Sequence, residues 1–256
     1  MSYFTFDDKQ VYYNEIGVGM PLLFLHGNTA SSKMFSEIAE KYKRNFKVIL
    51  IDFLGHGKSD RLQKFPVDLW FYEAEQIIAF LNEKNYSKVN IIGSSGGALV
   101  AINVALEAPD LINKVIADSF MGEKPLKSFT ETVKNDRELS KNNEDVKMFY
   151  YYMHGSDWEQ IVDNDTNAII QHSKDIGVFF HKYLQFLKAD ILLTGSKKDE
   201  FVSMVSPDYF EKVYGKMIKK IGHGKSHLFS EGGHPAMLTN LTEFYELSMN
   251  FLDDES

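Results

Sequence analysis

The stretch Val89–Ile102 reads VNIIGSSGGALVAI, and its punctuation decides the fold. An apolar run rich in β-branched residues, KVNIIG, ends at Gly93. A run with helical character, GALVAINVALEAP, begins at Gly97 and is closed by Pro109. A strand that turns at once into a helix forces the corner residue into strained backbone geometry. Side chains two positions to either side would collide there, which explains Gly93 and Gly97. The corner residue, Ser95, is thereby lifted above the sheet, and the helix start turns backbone N–H groups toward it.

Working outward, the same alternation recurs. YFTF and QVYYNEIG around Asp7-Asp8 read as a β-hairpin. PLLFLHG (21–27) and KVILID (47–52) are short apolar runs, as expected of strands buried on both faces, and INKVIAD (112–118), ADILLTG (189–195) and SHLFSEGG (226–233) read as further strands. Between them DLWFYEAEQIIAFLNEKN, SPDYFEKVYGKMIKK and a final AMLTNLTEFYELSMNFL carry helical spacing. The expected class is α/β, with a mostly parallel central sheet flanked by helices. The alternation breaks from 121 to 187, where the chain is helical, polar and aromatic without a clear strand. The expected organisation is a core of 1–120 and 188–256 carrying a helical cap at 121–187. A cap inserted at the strand C-terminal edge would sit over the place where such sheets bind ligands.

Composition narrows the partners. The 256 residues are 44% hydrophobic, enough for one large core, and the net charge is −8. No block of like charge stands out, so neither nucleic acid nor an anionic membrane surface is an expected partner. There is no cysteine, which excludes disulfides and thiolate metal sites. The first residues lack a basic start and an apolar h-region, and no apolar run reaches the ~18 residues of a membrane span. A cytoplasmic monomer or homodimer acting on a small molecule is the expectation.

Gly93-Ser94-Ser95-Gly96-Gly97 fits G-x-S-x-G in the strand–turn–helix context that makes serine a nucleophile. A hydroxyl needs a base and the base an orienting acid, in the chain order Ser, acid, His. Of the eight histidines, His234 in SEGGHPAML follows the last expected strand and shares the sheet edge with Ser95. His223 precedes that strand and falls at the opposite edge. The acid is Asp199, in the loop ending ILLTGSKKDEFV; Glu200 beside it and Asp118 one strand earlier are the alternatives. The N–H of Gly96 is placed to meet a developing oxyanion.

LLFLHGNTASS and DFLGHGKSD now join GSSGG, TGSKKDEFV and GGHPAML. As a set along the whole chain, these resemble the α/β-hydrolase superfamily, in its serine-nucleophile, esterase-like branch. The resemblance implies a second oxyanion N–H from Asn28 and structural roles for His26, Asp52 and His56. HGNTASS also resembles haloalkane dehalogenases, but those and epoxide hydrolases need a carboxylate nucleophile where Ser95 stands. The segment from Phe65 to Gly97 looks like esterases of the valacyclovir-hydrolase type, which place an acidic residue where this chain has Gly96.

The aromatic cap segments MFYYYMHGSDW and VFFHKYLQFL point to an apolar pocket as well as to the cap's own core, with Phe149 and Trp158 as candidate pocket residues. No metal-ligand spacing occurs, so no metal and no cofactor are expected. The expected chemistry is hydrolysis of a small, mainly apolar carboxylic ester through an acyl-enzyme. The same triad could serve carbon–carbon bond hydrolysis or perhydrolysis, or persist in a slow-turnover ligand receptor.

Overall fold

In the computed structural model, which describes residues 2–203 and 205–254, the apolar runs align as eight strands. Met1, Met204, Glu255 and Ser256, which the expected core includes, lie outside the described residues. β1 (Ser2–Phe6) and β2 (Lys9–Ile16) form the hairpin. β3 (Met20–Leu25), β4 (Phe46–Ile51), β5 (Val89–Ser94), β6 (Ile112–Asp118), β7 (Asp190–Ser196) and β8 (Lys225–Phe229) follow. The strand order is β1-β2-β4-β3-β5-β6-β7-β8. Only the pairings of β2, with β1 and with β4, are antiparallel.

The period of two in each strand separates two layers. Leu23, Leu25, Ile91, Val115 and Leu193 pack with α2 (Leu69–Glu83), α3 (Gly96–Glu107) and α8 (Tyr209–Ile221). Their neighbours Leu22, Phe24, Ile92, Ile116 and Leu192 pack with α1 (Ser36–Tyr42) and α10 (Leu241–Asp253) on the other face. The chain leaves β3 for β4 on one side and returns to β5 on the other. The C-terminal ends of β3 and β5 therefore flank a point where strand order reverses, which leaves a crevice open to ligands.

Between β6 and β7 the chain forms α4 (Lys127–Ser140), α5 (Glu144–His154), α6 (Trp158–Asp175) and a 3-10 turn at Leu184–Phe186, with no strand among the described residues. Val133, Ile169 and Phe179 from this segment join the sheet's own apolar cluster. Its helices therefore rest on the crevice directly. No helix of the described residues is long and apolar enough to cross a membrane.

The last helix differs from its expected single span. It is divided into α9 (Ala236–Thr239) and α10 at Asn240, whose backbone leaves helical geometry at φ −123°, ψ 42°. The cause is local competition for carbonyls. Asn240 Nδ2 donates to Ala236 O at 3.2 Å, and Thr239 Oγ1 donates to Gly233 O at 2.9 Å. The break lets α9 dock end-on: Ala236 N donates to Ser119 Oγ (2.8 Å) and Met237 N to Asp118 Oδ2 (3.1 Å). A further short helix, α7 (Glu200–Ser203), follows Asp199.

Candidate active site

Ser95 sits between β5 and α3 at φ 55°, ψ −117°, a conformation that costs energy for any non-glycine residue. Its amide donates to Asp118 O at 2.8 Å, and its carbonyl accepts from Ala98 N at 3.0 Å. The flanking glycines are obligatory for space. A methyl on Gly93 would overlap the Gly97 carbonyl, and one on Gly97 would overlap the Leu25 carbonyl. A methyl on Gly27, after β3, would stand 3.0 Å from Ser95 Cβ. The loop after β3 thus lies directly against the corner residue.

The loops after β7 and β8 bring an acid and an imidazole together. His234 Nδ1 lies 2.8 Å from Asp199 Oδ2, and Asp199 is buried. A carboxylate can only accept, so Nδ1 carries the proton and Nε2 is left with its lone pair. Asp199 Oδ1 accepts from Phe201 N at 3.0 Å, which fixes the carboxylate at the start of α7. The Phe201 ring meets the imidazole edge-to-face, centroids 4.7 Å apart. Glu200 takes a different partner: its Oε2 accepts the backbone N–H of His234 at 3.0 Å. Asp118 accepts from Thr194 Oγ1 (2.7 Å) and Met237 N, so it holds the segment after His234 rather than the ring. Burial pushes its carboxyl up to about 6. His223 is apart from these groups, with Nε2 2.9 Å from Leu187 O.

Ser95, Asp199 and His234 open onto one cavity of about 780 Å³. The structure records no hydrogen bond between the Ser95 hydroxyl and the imidazole; such contacts commonly tighten only when substrate binds. The wall is largely apolar, with Leu99, Phe129, Val133, Phe149, Ile169 and Phe179, and Arg137 adds a cation from α4. Phe149 lines the cavity. Trp158 does not, and that expectation is corrected. Its indole stacks on the far side of Tyr150, centroids 5.4 Å apart, and packs on Val162. Tyr150 itself reaches the cavity, so the tryptophan backs the wall instead of forming it.

Asn28 follows Gly27 and lines the cavity beside Gly96. Among the described residues no hydrogen bond uses the backbone N–H of either Asn28 or Gly96. The Asn28 side chain is tied on both sides, with Trp70 Nε1 donating to its Oδ1 (3.2 Å) and its Nδ2 donating to Asp165 Oδ2 (2.7 Å). A methyl on Gly96 would meet Asn28 Oδ1 at 2.2 Å, so any side chain after Ser95 must displace the Asn28 amide. Trp70, Phe201, Arg137 and Asp165 escape the sequence reading. Asp165 left a signal: it falls on the α6 face that buries Ile161, Ala168 and His172, where an acid is costly without a partner.

Beneath these loops lie neutral histidines. His26 Nδ1 donates to Gly27 O (2.9 Å) while its Nε2 accepts from Phe53 N (3.1 Å), joining the loops after β3 and β4. His154 of α5 accepts from Gly57 N and donates to Thr29 O. Burial lowers the pKa of His154 to about 4, and it also lowers those of His26 and His56. In the unfolded chain a histidine protonates near 6.5. Between pH 6.5 and 4 the unfolded state therefore binds the extra proton at His154, and stability falls as pH falls. Comparing the parent with His154→Gln cancels the titration of Asp118 and the other groups. From pH 7 to pH 5 the parent should lose about 2 kcal/mol more unfolding free energy than the variant. Urea unfolding at both pH values measures this; equal losses would remove His154 as the acid-sensitive joint.

Among the described residues no group of three or more histidines, aspartates and glutamates could hold a metal ion. In comparisons with known proteins, the family described as the alpha/beta hydrolase fold matches residues 20–155. A 2-hydroxy-6-oxo-6-phenylhexa-2,4-dienoate hydrolase of Comamonas testosteroni is 23% identical over 271 aligned positions, covering 96% of this chain and 92% of the relative. The serine hydrolase BPHL of Homo sapiens is 24% identical, covering 95% and 83%. Among solved structures, an esterase (EaEST) from Exiguobacterium antarcticum superposes with a TM-score of 0.74 at 20% identity, covering 97% of each chain.

Proposed function

The chain belongs to the α/β-hydrolase fold family, and on that premise we propose that it is a serine hydrolase of small, mainly apolar carboxylic esters. One observation carries the reading. The Asp199–His234 pair at 2.8 Å faces the same cavity as Ser95, on three separate loops at one sheet edge. Ser95 Oγ attacks the ester carbonyl and His234 Nε2 takes its proton. The N–H groups of Asn28 and Gly96 receive the oxyanion. The protonated imidazole then gives its proton to the leaving alkoxide. Water, activated by the same nitrogen, attacks the acyl-enzyme and releases the acid and Ser95. Asp199 holds the ring and its developing charge throughout. The apolar wall supports an alkyl or aryl acyl group, and the esterase and the human serine hydrolase among similar proteins point the same way.

A second reading is hydrolysis of a carbon–carbon bond in a diketone-like acid. The dienoate hydrolase among the relatives favours it, as does Arg137 at the cavity wall. The deciding experiment combines labelling with a substrate panel. A fluorophosphonate should add one adduct per chain, on the peptide containing Ser95, and abolish turnover of p-nitrophenyl acetate and butyrate together. A label elsewhere, or turnover that survives full labelling, would overturn the serine-hydrolase reading. Faster cleavage of a vinylogous diketone acid than of every ester in the panel would select the second one.

A further inference from the structure

Asp165 is fully buried on α6, and the chemistry above gives it no part. Its two oxygens face different parts of the molecule. Oδ1 accepts from Arg137 Nη1 at 2.6 Å, within the cap. Oδ2 accepts from Asn28 Nδ2 at 2.7 Å, on the loop after β3. The indole of Trp70 can only donate and a carboxylate can only accept, so the Asn28 amide has a single satisfied orientation between them. The loop it belongs to is strained: Thr29, a β-branched residue, stands at φ 56°. Two more cap contacts grip that loop. His154 Nε2 donates to Thr29 O at 2.9 Å, and Ser31 Oγ donates to Met153 O at 3.1 Å. A costly backbone conformation persists only when its surroundings over-determine it, and here most of those surroundings are cap residues.

We propose that Asp165 is a positioning residue for the oxyanion donor at Asn28. By gripping the side-chain amide from the cap, it fixes the backbone N–H of the same residue against Ser95. The oxyanion site is complete only while the cap is seated. The inference rests on the serine-hydrolase reading. It adds that the cap completes the reacting centre instead of merely enclosing substrate. Loss of one donor in such sites costs about 10²–10³ in kcat, and displacement short of loss costs less.

The test uses Asp165→Ala, Asn28→Ala, which keeps the backbone N–H, and the double variant, all on p-nitrophenyl butyrate. Each single variant should lose roughly 10- to 100-fold in kcat with KM moved less than about threefold. Affinity for an alkyl trifluoromethyl ketone, whose Ser95 adduct places an oxyanion in the site, should fall by the same factor. Affinity for the product butyrate should not. The double variant should lose no more than the worse single one, since both cut one link. A folded single variant with kcat within about twofold of the parent, a loss carried by KM, or losses that multiply in the double variant would each overturn the proposal. If Asp165→Ala does not fold, Asn28→Ala decides by the same measures. Ser95→Ala run alongside separates the failures: if it is as active as the parent, the hydrolase reading and this inference fall together, and otherwise only the positioning role is at stake.

Discussion

Ser95→Ala is expected to lower kcat/KM for p-nitrophenyl butyrate by on the order of 10⁴ to 10⁶. The size follows from the absence of a substitute at the corner. Ser119, another hydroxyl of the cavity wall, already accepts from Ala236 N, and the Thr29 hydroxyl donates to Asn28 O. Ser94 is fully buried in the end of β5. None is held at the positive-φ corner that faces Gly27 and the helix start. The backbone hydrogen bonds of Ser95, to Asp118 O and from Ala98 N, do not involve the hydroxyl and survive in the variant. Thermal unfolding should therefore shift by no more than a few degrees, which separates chemical loss from loss of fold. Binding of a non-hydrolysable ester analogue should persist. Comparable turnover by variant and parent would mean that observed hydrolysis arises elsewhere on the surface. The mechanism would then be lost.

How much of this was readable in the chain depends on the range of the interactions involved. The strands β3 to β7 were legible because each buries both faces and so reads as an apolar run, and Gly93 and Gly97 were legible because their steric demand is local. Asp199 and His234 could be singled out because loop order along an α/β sheet places successive strand ends at one edge. Choosing among Asp199, Glu200 and Asp118 was a matter of side-chain direction, which the sequence does not carry. The coordinates divide the three: one holds the ring, one the backbone of His234, one the amide of Met237. Trp158 was misplaced for a related reason. An aromatic cluster says that rings pack together, not which ring is in front. The Asn28–Asp165 contact joins positions 137 residues apart, and only the packing of α6 against the loop after β3 brings them together. The break at Asn240 was the opposite case, a local competition for carbonyls hidden under a continuous apolar pattern.

Asp199→Asn is expected to cost roughly 10³ to 10⁴ in kcat, while Asp118→Asn should cost less than about 30-fold. The two carboxyls lie at the ends of adjacent strands and differ in what an amide would do in their place. At 199 the Oδ1 position can keep an oxygen for the Phe201 N–H, which leaves an NH₂ group facing His234 Nδ1. That group donates, so Nδ1 must become the acceptor and Nε2 must carry the hydrogen. The ring stays in place but presents the wrong nitrogen to Ser95, and KM should change little. At 118 the amide meets Thr194 Oγ1 and Met237 N, neither of which touches the reacting atoms. With the amide oxygen kept for Met237 N, the threonine hydroxyl can turn its hydrogen away and accept from the amide nitrogen, so the loss is confined to a small shift of the segment after His234. Stability gives an independent reading. Burial raises the Asp118 carboxyl to about 6, whereas in the unfolded chain it ionises near 4. Between those values the folded state alone keeps the proton, so the carboxyl's contribution to stability declines as pH rises from 4 to 6. An asparagine has no such dependence. The stability of Asp118→Asn relative to the parent should therefore improve on going from pH 4.5 to pH 7, by about 2 kcal/mol. If Asp118→Asn instead abolished turnover while Asp199→Asn kept it, the acid would sit one strand earlier and the tautomer argument would apply to the wrong carboxylate.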